Sequence, residues 1–117
     1  IKPDYTKEKF DMVKRAVYEL NIDRPTFAVL TPFYGTDEYE KVRDKFIIDK
    51  LEFFDCYHTF LQTELPLKEF YFEFADLFRC AYKRKKNADE EKVFYAGRDE
   101  NSFEEMLQKI ESSYMYY

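Results

Sequence analysis

The chain has 117 residues, 45% of them hydrophobic and 21% aromatic, which is enough for one modest domain and too few for two. With 19 basic against 24 acidic residues its formal net charge is −5, so generic phosphate binding is disfavoured and a nucleic-acid role would need a local patch. No apolar run approaches the roughly 20 residues of a membrane helix, and no secretion or lipidation signal, internal repeat or low-complexity linker is visible.

The first helix is expected over residues 6–21, where Phe10, Val13, Val17 and Leu20 recur on one stripe. Thr6 suits its N-cap and Asn21 its stop. Pro25 biases Arg24 away from helix. "TFAVL", 26–30, is short and apolar, as expected of a strand buried on both faces. "TPFYGT" then turns the chain, with Gly35 free to take positive φ.

A second helix is expected from Asp37. Thr36 would cap it, Asp37, Glu38 and Glu40 suit the positive end of its dipole, and Tyr39, Val42 and Phe46 form its stripe. Residues 47–60 lack helical periodicity and read as extended. Pro66 opens a third helix, 66–85, with Phe70, Phe74, Leu77 and Ala81 on one stripe. Tyr71, Phe78 and Tyr82 widen that stripe, so the helix should pack on more than one side. Its aromatic run reads as core rather than as a base-stacking platform. Residues 83–92 read as a charged break whose "KRKK" suits a solvated helix end, and 93–97 as a short extended piece. A last helix is expected near Ser102, with Glu105 completing a capping box and Phe103, Met106, Leu107 and Ile110 facing inward. The aromatic tail "SSYMYY" is unusual for a free end.

Cys56 and Cys80 match no short metal-ligand spacing, and His58 is the only histidine. No metal site is therefore expected within the chain, and the cysteines read as free thiols of a cytoplasmic protein.

The order Pro25-Thr26-Phe27-Ala28-Val29-Leu30-Thr31-Pro32, then Gly35-Thr36 and Tyr39, resembles the last barrel strand of radical S-adenosylmethionine (SAM) enzymes. The closer likeness is to the branch with an upstream cobalamin-binding domain. "FFDCYHTFLQTELPLKEFY", 53–71, resembles the segment after the barrel in that branch. There Asp55, Cys56, His58, Thr63, Leu65, Pro66, Phe70 and Tyr71 carry the likeness. Two features depart from the family: Tyr34 stands where a second proline is usual, and the CxxxCxxC that holds the 4Fe–4S cluster is absent.

The resemblance implies a C-terminal piece, inactive alone, of a parent that uses a 4Fe–4S cluster, SAM and, in this branch, cobalamin. It implies contact with the adenine side of SAM through Thr31, Pro32, Gly35 and Thr36, with apolar contact from Leu30 and Phe33. Residues 47–85 would cover the substrate mouth, with Cys56 and His58 as catalytic candidates on one face of an extended segment. The bland readings are a buried thiol and a hydrogen-bonded structural histidine.

The expected fold is α+β and predominantly helical. It has about four helices and one strand, 26–30, with 1–46 as the last strand–helix unit of a partial (β/α) barrel and 47–117 as a helical extension. The expected partners are the barrel of the same chain and a second copy paired through the open strand. A small interaction module without catalysis is the alternative, and a nucleic-acid accessory domain a third reading.

Overall fold

A computed structural model describes residues 1–20, 22, 25–88 and 100–117, the side chains of 83–88 excepted. Four α-helices are described: α1 (Lys7–Glu19), α2 (Asp37–Val42), α3 (Leu67–Ala88) and α4 (Glu100–Ser112). Short 3₁₀ turns lie at Arg43–Lys45, Leu51–Phe53 and Ser113–Tyr116. The helices start where local chemistry puts them. Thr6 accepts the Lys9 N–H at 3.3 Å, Thr36 accepts the Tyr39 N–H at 3.2 Å, and the Pro66 carbonyl accepts the Phe70 N–H.

α3 is the axis of the molecule, and both α1 and α4 pack on it. Phe70, Tyr71, Phe74, Ala75, Leu77, Phe78 and Ala81 are buried on so wide an arc that one neighbour could not cover them. Phe10 of α1 meets Phe70 edge-on, Phe27 meets Phe78 edge-on, and Phe103 of α4 stacks on Tyr82. A charged rail runs beside this core. Lys14 of α1 reaches Glu73 (2.5 Å) and Asp76 (3.3 Å) of α3, Lys7 also reaches Glu73, and Arg79 joins Asp76 to Glu111 of α4. Burial pushes the Glu73 carboxyl up, but the bonds from Lys14 and Lys7 outweigh it and hold the group below its ordinary value.

The expected strand at 26–30 is not there: among the described residues none is in a strand. The segment is extended, but Thr26, Ala28 and Leu30 are exposed while Val29 is buried and Phe27 half-buried. One face points into the core, so the stretch is not sandwiched as a barrel strand would be. Its hydrogen bonds also go to scattered partners. The Ile1 amine donates to Ala28, Leu30 donates to Ile1, and Val29 donates to Cys56, which makes two bonds to the one residue Ile1 on one side, one bond on the other, and no ladder. The α+β reading and the barrel strand–helix unit are thereby corrected to a helical fold with an extended connector. The expected pairing of copies through an open strand loses its strand.

Residues 47–60 likewise form turns rather than a strand, because each backbone bond finds a different partner: Ile47 donates to Phe60, Phe53 to Lys50 and Phe54 to Leu51. Leu20 lies beyond the end of α1 and is exposed. α4 starts at Glu100, so Ser102 is inside it rather than at its cap. The backbone of α3 runs on to Ala88 across part of the expected break at 83–92. Asn21, 89–92 and 93–97 lie outside the described residues.

Phe74→Ala should cost about 3–5 kcal/mol in a urea titration, and Phe72→Ala, at an exposed position of the same helix, less than about 0.5 kcal/mol. Glu73→Gln should cost about 1–3 kcal/mol at neutral pH. Because Glu73 is lowered from 4.5, its contribution is present above that pH and is lost as pH falls through the folded value. The melting temperature of Glu73→Gln should therefore converge on that of the parent in acid.

Candidate functional site

The turn after the extended segment is built by its own side chains. Thr31 Oγ1 donates to the Val29 carbonyl at 3.0 Å and Thr36 Oγ1 to the Phe33 carbonyl at 2.6 Å. Pro32 is buried. Gly35 has φ +79°, and a Cβ placed there would meet nothing within 4 Å, so its glycine is demanded by conformation and not by crowding. Phe33 and Tyr34 are exposed at 43% and 55%, and both rings lie against Phe54. Phe54 in turn packs on buried Phe60, which meets Phe46 of the segment after α2. This satellite aromatic cluster, and not the main core, supports the turn.

The turn at 53–58 lies alongside, tied to Val29 through the Cys56 carbonyl at 2.7 Å. Asp55 organises it: Oδ1 accepts the backbone N–H of Tyr57 (2.8 Å) and of His58 (3.1 Å), and Oδ2 is 2.8 Å from His58 Nδ1. Phe53 stacks face-on to the imidazole at 4.0 Å and 9°. Cys56 adopts φ +65°, a region costly for a residue with a side chain. The two catalytic candidates therefore sit in a tight turn and not at alternating positions of an extended segment. His58 borders a cavity of about 370 Å³ formed with α4 and the Ser113–Tyr116 turn, and Cys56 is not part of its wall. Among the described residues no three of His, Cys, Asp and Glu come together as metal ligands, and no helix is long and apolar enough to cross a membrane.

A ring of hydroxyl bonds holds this cavity's walls in place. The Thr59 N–H donates to Tyr71 Oη (3.1 Å), and Tyr117 Oη donates to the Thr59 carbonyl (2.6 Å). The 2.7 Å contact between the two phenols must then run from Tyr71 to Tyr117. The ring joins the neighbour of His58 and the neighbour of Tyr116 to α3. Burial first, and then the bond from Tyr71, push the Tyr117 phenol far above its ordinary 10.0; burial also raises Tyr71. Sequence reasoning missed this role of Tyr71 and Tyr117. The one signal was the concentration of tyrosine in the tail.

No family model matches the chain, and no solved structure matches it. Over 82 residues, 70% of this chain, it is 29% identical to Hopanoid C-3 methylase of Methylococcus capsulatus, and the match covers 16% of that protein. The methylase is a radical SAM enzyme, and the similarity gives this chain a coarse link to that family.

Gly35→Ala should lower stability by about 1 kcal/mol in denaturant, through backbone conformation alone. Tyr117→Phe should cost about 1–3 kcal/mol by leaving the Thr59 carbonyl without its donor. Because both phenols are raised above 10.0, their contribution is whole below that pH and lost as pH rises through the folded values. Urea midpoints at pH 8 and pH 11, flanking that ordinary value, should differ less in Tyr117→Phe than in the parent chain.

Proposed function

We propose that this chain is the C-terminal portion of a radical SAM iron–sulfur protein and works only with the rest of that protein. The similarity to the methylase carries the reading. The cluster itself does not fit here: Cys56 and Cys80 cannot supply the three thiolates it needs, so it belongs to another part of the parent.

The turn at 31–36 suits the adenine side of SAM. Gly35 lets backbone approach a flat ring in open space, and the exposed faces of Phe33 and Tyr34 offer stacking surface. The Thr31 and Thr36 hydroxyls are committed to carbonyls of the turn. In this reading they and buried Pro32 hold its shape, and contact falls on Gly35 and the aromatic rings. SAM, when bound to the parent's cluster, supplies the 5′-deoxyadenosyl radical.

Residues 47–85 would lie over the substrate. Leu30, Ile47 and Leu51, on the segments that flank the two turns, are exposed at 50%, 37% and 72%, which suits side chains the parent covers. That apolar surface equally favours the second reading, a non-catalytic interaction module.

The test is the complete protein from its reading frame, reconstituted anaerobically with iron and sulfide and then reduced with dithionite, which supplies the electron that SAM cleavage consumes. The expected result is a 4Fe–4S signal, cleavage of SAM to 5′-deoxyadenosine, and cobalt on elemental analysis if the upstream domain holds cobalamin. Gly35→Val should raise the KM for SAM roughly tenfold at unchanged cluster content, a loss of about 1.4 kcal/mol. A complete protein with no cluster and no SAM cleavage overturns the proposal in favour of the interaction module.

A further inference from the structure

The cavity beside His58 plays no part in adenine contact, yet the histidine on its wall carries an unpartnered buried polar atom. Asp55 is acceptor-only as a carboxylate, so its Oδ2 fixes the proton of neutral His58 on Nδ1. The lone pair is left on Nε2. That nitrogen is buried and has no hydrogen-bond partner, and it is the one such side-chain atom among the described residues. The orientation is not accidental to one contact. Asp55 is held by two backbone N–H groups, and Phe53 stacks on the ring. The imidazole is therefore pre-set with an acceptor that the protein does not use. A buried acceptor without a donor is a penalty that a bound group would remove.

The rest of the cavity gives the character of that group. Met106, Ile110 and the Tyr57 and Tyr116 rings supply apolar wall, and Lys109 supplies a cation that makes no ion pair among the described residues. A volume of about 370 Å³ lies within the range of small-molecule sites. Two other cavities of about 390 and 360 Å³ lie at Tyr5–Met12 and Tyr39–Asp49, but neither contains an unpartnered buried polar atom.

We propose that the cavity between the 53–58 turn and α4 binds a small aromatic or alicyclic hydroxy acid. Its hydroxyl donates to His58 Nε2, its acid group pairs with Lys109, and its ring lies on Met106 and Ile110. Nε2 is closed to solvent, and in this proposal the hydroxyl reaches it as the neighbouring Tyr116 ring moves aside. That ring is 56% exposed and stands edge-on to His58 at 6.1 Å. This proposal stands apart from the radical SAM reading, because it uses only residues of this chain.

The single histidine makes the test specific, since ¹⁵N-histidine labelling gives one imidazole. In the free protein the imidazole should carry its proton on Nδ1 and leave Nε2 bare; the opposite tautomer, or a ring protonated on both nitrogens, overturns the proposal. Titration with 3-hydroxybenzoate and 4-hydroxybenzoate should move the Nε2 resonance saturably for at least one of them. Benzoate, which lacks the hydroxyl, should leave Nε2 close to its free position. Lys109→Met, an exposed substitution, should keep the tautomer and weaken binding about fivefold. No saturable shift with either hydroxy acid, or equal affinity in Lys109→Met, overturns the proposal.

Discussion

Everything in this molecule depends on the burial of one helix over most of its circumference. α3 carries aromatic and aliphatic side chains on an arc too wide for a single partner. α1, α4 and the extended connector each cover part of it, through Phe10, Phe103 and Phe27. None of those three elements has a core of its own. Full burial of one such side chain is worth roughly 1.5–3 kcal/mol, so the sum over α3 dominates the folding free energy.

Hydrophobic burial is non-directional and would tolerate sliding, so the polar bonds at the edges of α3 set the register. The Lys14–Glu73–Asp76–Arg79–Glu111 rail fixes α1 and α4 against it along one side. Near the start of α3, Tyr71 closes a ring with Thr59 and Tyr117 in which each hydroxyl direction is forced by a backbone group. The ring converts a polar atom deep in the core from a cost into a clamp. It also delivers the 53–58 turn and the tail to the same place, where they enclose the cavity beside His58.

The two turns differ in how they are built. The Gly35 turn spends its threonine hydroxyls on itself and presents aromatic faces and open backbone outward. The Asp55 turn also satisfies its backbone internally, but it leaves one imidazole nitrogen buried without a partner beside a cavity. The two turns lie on neighbouring segments joined through the Val29–Cys56 bond.

Local chemistry was legible in the sequence because it is decided within a few residues. The Thr6 and Thr36 caps, the start of α3 after Pro66, the positive φ of Gly35 and the packing of α3 on more than one side follow from near neighbours and helical period. The state of 26–30 was not legible. An apolar pentapeptide is compatible with any buried extended conformation, and whether it becomes a strand depends on a partner supplying a ladder. Here Ile1 supplies two bonds and Cys56 one, with no neighbour extending either into a ladder. The Asp55–His58 pair was marked by its residues, but its geometry was misread as extended, because the positive φ at Cys56 has no sequence signature. The tyrosine ring and the cavity were invisible for the same reason: they join residues near 58, 71 and 117, and only the packing around α3 brings those three together.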